Sequence, residues 1–172
     1  MKDHQSKTTF ADYAPAHCDW VLELSAENEI ETGFLDAAKL THLVGQSFSA
    51  RCALPRNGYL LTFAPDAKIE GPNFDWFKAR GGNFIYVDRI VVAVHARRQN
   101  IARTFYAELF AAAAQLGYEE VTCEVNSDPP NPVSDKFHAA LGFLPVGSAT
   151  LPNGKTVTYM ARPLIDPVKE EE

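Results

Sequence analysis

Arg97-Arg98-Gln99-Asn100-Ile101-Ala102-Arg103 puts three guanidinium groups between a long apolar run and a helical pattern. The first turn of a helix has backbone N–H groups without intrahelical acceptors, and the helix dipole adds partial positive charge there. Arginine opposes that dipole, so its accumulation at this place predicts a ligand of opposite sign. Small Ala102 lets an anion approach the backbone closely. The competing reading makes Arg97, Arg98 and Arg103 solvated residues at a strand end. Two acids also stand out. Asp88 interrupts the apolar run 84–94, where an unpaired charge is costly, and Glu124 shares one face of an alternating run with Asn126. A structural ion pair of either acid with Arg89 is the simpler alternative. His138 lies one helical turn after Ser134 and near Asp135, a place that also suits a histidine on a helix surface.

Positioning these groups takes a strand, a turn and a helix in that order. Residues 84–94 are apolar and β-branched, long enough for a central strand buried on both faces. Ile101, Phe105, Leu109, Ala112 and Leu116 then recur at helical spacing, and Gly117 follows in the C-cap position. Residues 121–126 alternate as a second strand, so 84–126 predicts two parallel strands joined by a right-handed helical crossover. Beyond the Pro-rich stretch 128–132, Val133, Phe137 and Leu141 predict another helix, and 143–147 and 156–160 the last strands. Upstream, 20–24 reads as a short strand and 34–44 as a short helix closed by Gly45. Residues 47–54 and 59–64 flank an Asn57-Gly58 pair suited to the positive φ of a hairpin turn. A short helix over 74–79 is expected to hang over one end of the sheet with Phe74, Trp76 and Phe77.

The chain of 172 residues is long enough for one domain with its own core. We expect a leader over 1–18, a single domain over 19–164 and an acidic tail over 165–172. A formal charge of −6 argues against a general nucleic-acid binder. That charge is uneven: residues 166–172 hold one Lys and four acids, whereas 89–103 hold four Arg and no acid. Cys18, Cys52 and Cys123 are odd in number and form no CxxC pair, which argues against a disulfide framework and against a metal site. Residues 1–10 do not read as a signal peptide, and no apolar run approaches the ~20 residues of a membrane span. The expectation is a soluble, cytoplasmic protein, with no membrane or nucleic-acid partner.

With Arg97, Asn100 and Ala102 after a central strand, the chain resembles the GNAT superfamily of acyl-CoA-dependent N-acetyltransferases, in bacterial-type form. The family's loop runs Arg or Gln, two residues, Gly, one residue, Gly or Ala. Asn131, Ser134, Phe137, Leu141, Gly142 and Phe143 resemble its second motif, an Asn followed by a helix ending in Leu-Gly-Phe. The resemblance covers most of 19–164. It implies an α/β (α+β) fold: a mixed twisted sheet of six or seven strands flanked by helices, splayed after the central strand. Asn100 stands where the family has Gly, and Asn is the other residue that tolerates a left-handed backbone.

The resemblance further implies acetyl transfer from acetyl-CoA to a primary amine by direct attack in a ternary complex, without a metal. A catalytically inactive CoA-binding module is the alternative, and a homodimer is compatible with either. The cofactor contacts it implies are Val92, Val94, Arg97 to Arg103 (Gln99 and Ile101 included), Asn131, Ser134 and Phe137. Val92 would give its N–H to the thioester oxyanion. His138 falls where many members have a Tyr that protonates the departing thiolate, and imidazole can carry a proton at neutral pH. An alkylammonium must lose a proton before attack, for which Asp88 and Glu124 are the candidate bases. Tyr86 aligns with a strand-borne glutamate of the family. The 74–79 aromatics would wall the acceptor site or simply pack over a sheet edge.

Overall fold

The computed structural model describes residues 7–164. Strand β1 (Thr9–Asp12) leads through a 3-10 turn into helices α1 (Cys18–Glu27), α2 (Glu29–Thr32) and α3 (Ala37–Gln46). The hairpin of β2 (Ser49–Leu54) and β3 (Gly58–Phe63) follows, then α4 (Pro72–Arg80) and β4 (Phe84–Val92). The second half consists of α5 (Ile101–Gln115), β5 (Glu120–Asp128), α6 (Pro132–Ala140), β6 (Leu144–Thr150) and β7 (Thr156–Pro163). The strands form one seven-stranded sheet in the order β1-β2-β3-β4-β5-β7-β6. Every pairing is antiparallel except β4–β5, which the α5 crossover makes parallel. This is the mixed α/β sheet with flanking helices that the motif order implied.

Three upstream expectations are corrected. Residues 20–24 are helical, part of α1: Trp20, Val21, Leu24 and Ser25 are its buried positions, a spacing of three to four. A five-residue apolar run fits either period, and the amphipathic wrap of α1 on the sheet decides it. The stretch expected to be a leader supplies β1, which pairs with β2 from Thr9↔Leu54 to Asp12↔Arg51 and sets the edge of Phe10 on Phe105. Helix α3 starts later than expected, where Asp36 caps the N–H of Lys39 at 2.8 Å, and it runs through Gly45 instead of stopping there. The acidic tail over 165–172 lies outside the described residues.

Core packing holds the central strands from several sides. Helix α5 buries Phe105, Tyr106, Leu109 and Ala113, and α4 buries Phe74 and Phe77 against Phe84, Tyr86 and Tyr159. Each such aromatic side chain contributes about 1.5–3 kcal/mol by leaving water. Among the described residues no helix is long and apolar enough to cross a membrane.

Strands β4 and β5 pair only through Phe84↔Glu120, Ile85↔Val121 and Tyr86↔Thr122. On the other side, the register with β3 steps from Leu61↔Arg89 to Thr62↔Val87, leaving Asp88 as the extra residue of a bulge. A bulge bends the strand that carries it. The two parallel strands therefore separate after Tyr86, and the site lies in the gap.

Candidate active site

The gap is a cleft of about 800 Å³, within the roughly 300–1,000 Å³ common for small-molecule sites. One wall is the free edge of β4. The Ala93 N–H donates to the Asn57 carbonyl at 2.8 Å on the β3 side. Successive amides of a strand alternate in direction, so the Val92 N–H points the other way, into the cleft.

At one end of the cleft the main chain forms an anion cradle. Arg98 and Asn100 both take left-handed conformations, with φ of 63° and 58°. Among the described residues, the backbone N–H groups of residues 98–103 have no acceptor within the protein. Alternating left-handed residues that run into a helix N-terminus turn such groups toward one point, an anion-binding arrangement. Asn100 thus supplies the conformation for which the related motif uses glycine. Arg97, Arg98, Ile101, Ala102 and Arg103 line the same end, and the Arg103 guanidinium lies 6.0 Å from the Phe137 ring centroid. Asn131 and Ser134 line the opposite wall at the start of α6, where Asn131 Oδ1 accepts from the Ser134 N–H at 3.3 Å. His95 Nε2 donates to Asn57 Oδ1 at 3.0 Å, pinning the loop to the β2–β3 turn.

Two expected contacts are not brought to the cleft. Val94 opens a 3-10 turn with its side chain exposed, because β4 ends at Val92. The Gln99 side chain turns back toward the His95 carbonyl. Neither side chain lines the cleft.

The other end is acidic. Asp88 Oδ2 accepts from Arg89 Nε at 2.9 Å, and Arg89, only 4% exposed, gives its Nη1 to the Gly33 carbonyl at 3.1 Å. Burial raises the Asp88 pKa and the Arg89 charge works against that rise. Asp88 therefore has the ion pair that competes with a role as base. Among the described residues Glu124 has no cation as a partner. Its Oε1 accepts from Tyr86 Oη and from Asn73 Nδ2, both at 3.0 Å, and Asn73 Oδ1 accepts from Tyr159 Oη at 2.9 Å. Its Oε2 is the one buried side-chain polar atom among the described residues without a hydrogen-bond partner. Burial, then the nearby Asp88 charge, push the Glu124 pKa up to about 8, against the pull of the Tyr86 and Asn73 hydrogen bonds.

His138 reaches the cleft wall with both ring nitrogens engaged. Nδ1 lies 2.8 Å from the Ser134 carbonyl oxygen, which only accepts, so the ring hydrogen is there. Nε2 then accepts from Tyr106 Oη at 2.7 Å. Burial lowers the His138 pKa, which favours this neutral form. In this form the single proton of the ring goes to a backbone carbonyl inside the helix instead of to a leaving group.

The residues that sequence reasoning missed are those that reach in from elsewhere. The aromatics of α4 pack on the sheet, with Trp76 stacked at 4.1 Å on Tyr159, while Asn73, just before them on the helix, touches Glu124. Tyr106 reads as a core aromatic, and nothing in its spacing marks its hydroxyl; Tyr86 was marked only by its alignment with a strand-borne glutamate, not by a contact with Glu124. Among the described residues no group of three or more His, Cys, Asp or Glu is placed to hold a metal.

A sheet split by a bulge, with an N–H cradle at the mouth of the split, defines an acyl-CoA-transferase type of scaffold. The chain belongs to the acetyltransferase (GNAT) family, whose model matches residues 27–143. Solved structures agree in fold. Ard1 from Thermoplasma volcanium is 12% identical with a TM-score of 0.72, over 92% of this chain and 99% of that one. The protein yncA from Salmonella typhimurium, solved with its cofactor acetyl-CoA, is 14% identical with a TM-score of 0.69, over 96% and 99%. An N-acetyltransferase from Staphylococcus aureus is 15% identical with a TM-score of 0.68, over 93% and 100%. At these identities the likeness is one of fold. No functionally curated protein matches significantly in sequence.

Proposed function

We propose that the chain is an N-acetyltransferase that uses acetyl-CoA and a primary amine, with direct attack in a ternary complex. The observation that carries this reading is the polarity of one continuous cleft. It has unpartnered N–H groups and arginines at one end, an enclosed carboxylate at the other, and the free edge of β4 between them. These residues fit acetyl-CoA. The cradle at residues 98–103 suits the pyrophosphate, with Arg97, Arg98 and Arg103 adding charge-assisted bonds. Asn131, Ser134 and Phe137 flank the cofactor arm from α6. The free β4 edge suits the pantetheine amides, and the Val92 N–H suits the oxygen that becomes negative on attack.

Glu124 is the base in this reading. An alkylammonium, with a pKa of about 10.4 in water, gives one proton to Oε2 and attacks the thioester carbon as the free amine. The adduct nitrogen holds two protons, one more than the amide keeps, and that second proton goes to the departing sulfur. His138 holds Tyr106 and the start of α6 in place. Asp88, tied to Arg89, sets the local charge and shapes the bulge. The inactive-module alternative rested partly on Asn100, and that residue takes the left-handed backbone the loop requires.

A thermal-shift titration followed by a thiol-release assay tests the proposal. Acetyl-CoA at about 100 times its Kd should stabilise the fold by about 2.7 kcal/mol, and thiol release should depend on added amine. No stabilisation at millimolar acetyl-CoA contradicts it. Stabilisation without amine-dependent release from any primary amine favours the inactive module.

A further inference from the structure

The acidic end carries more charge than proton removal requires. Glu31 on α2 lines the cleft, is exposed, and has no ion pair among the described residues. Glu27 and Glu29 beside it are exposed and equally unpaired. Lys155 reaches α2 from the β6–β7 turn, but its ammonium goes to the Ile30 carbonyl. The cleft's arginines lie at the far end, except Arg89, which is spent on Asp88 and Gly33.

Acidic surface alone is common and usually only solvated. Here a second feature belongs to the same cleft: Glu124 lines it, and its Oε2 is buried and lacks a donor. Oε1 has two donors, so the vacancy is confined to one oxygen. A buried carboxylate oxygen without a donor costs about 1–3 kcal/mol or more, and a primary ammonium brings three donors. Glu124 and Glu31 line the same cleft, so one ligand can meet both.

We propose that the acceptor is an aliphatic amine carrying a second positive charge, its reacting nitrogen on Glu124 Oε2 and its other cation held at Glu31. This rests on the N-acetyltransferase reading. The chemistry is shared by a free polyamine and by a lysine side chain next to another cationic residue.

The test is a comparison of kcat/KM for pentylamine, 1,5-diaminopentane, spermidine and an end-blocked Lys-Lys dipeptide, all with saturating acetyl-CoA. At least one dication should exceed pentylamine by about fivefold, the size of a partly exposed ion pair, and the lead should shrink in high salt. In Glu31→Gln the ratio of that dication to pentylamine should fall toward one. A lead for the diamines or for the dipeptide supports the proposal equally, and which one leads identifies the source. Equal kcat/KM for pentylamine and every dication overturns the acceptor assignment while leaving the transferase intact. A dication lead that survives Glu31→Gln also overturns it. Acetylation of no amine overturns both readings.

Discussion

The two ends of the cleft are built by different means. At the proposed phosphate end the recognising groups are main-chain N–H groups on six consecutive residues, 98–103, with Arg97, Arg98 and Arg103 beside them. At the amine end they are side chains from α2, α4, β4, β5 and β7 that meet only in the folded sheet. A backbone cradle depends on conformation and tolerates changes of side chain, provided that φ > 0 stays accessible. A side-chain network depends on each member's donors and acceptors. Substitutions at the amine end should therefore act on proton transfer, and those at the phosphate end on binding.

The largest expected effect is at Glu124. Glu124→Gln keeps the hydrogen-bonding shape but removes the base, and kcat should fall by about 10²–10⁴-fold with little change in the KM for acetyl-CoA. A loss appearing mainly in that KM contradicts the division of labour. Next comes Arg98→Ala, expected to weaken CoA binding by about tenfold in calorimetry through loss of a charge-assisted contact. Asn100→Gly sharpens the same comparison: the backbone conformation survives, so CoA affinity should change by less than about threefold.

The pH dependence is set at the amine end. Glu124 must be ionised to act, so kcat/KM should rise as pH passes about 8. Asn73→Ala or Tyr86→Phe removes a hydrogen bond that favours the carboxylate, so the rise should move to higher pH. Stability runs the other way. The folded pKa lies above the ordinary value of 4.5, so the folded state binds the proton more tightly. That contribution is full below about 4.5 and is lost as pH rises through about 8. Glu124→Gln should flatten this part of the stability profile measured by urea unfolding.

His138→Ala is the smallest catalytic effect expected. Tyr106 Oη would lose its acceptor while buried, costing about 1–3 kcal/mol of stability, while kcat should fall less than about tenfold. A loss of kcat as large as that of Glu124→Gln restores the acid role.

What was legible in the sequence follows the same division. The loop at 97–103 and the helix that follows it are local, so charge, helical spacing and an Asn with left-handed tolerance were readable along the chain. The central strand, the hairpin at Asn57-Gly58 and the final helix–strand order were readable for the same reason. Residues 20–24 were not, since a short apolar run fits both periods until α1 meets the sheet. Strand β1 was hidden because an edge strand of four residues, Thr9–Asp12, needs no apolar pattern of its own. At the amine end, Asp88 was visible as a polar break in an apolar strand and Glu124 as an acid sharing one face of an alternating strand with Asn126. Asn73 was not, because its contact with Glu124 spans 51 positions and its neighbours mark only packing. His138 shows the opposite case: the type of residue was suggestive, but the Ser134 carbonyl one turn earlier takes its proton.

The central claim is that Glu124, enclosed and with one oxygen free, takes the proton from the acceptor amine. The pH profile of kcat/KM for amine-dependent thiol release, measured for the wild type and Glu124→Gln side by side, tests it most directly. The account predicts a rise through about pH 8 in the wild type and its loss, together with most of the rate, in the variant. The same rise at comparable rate in Glu124→Gln contradicts it.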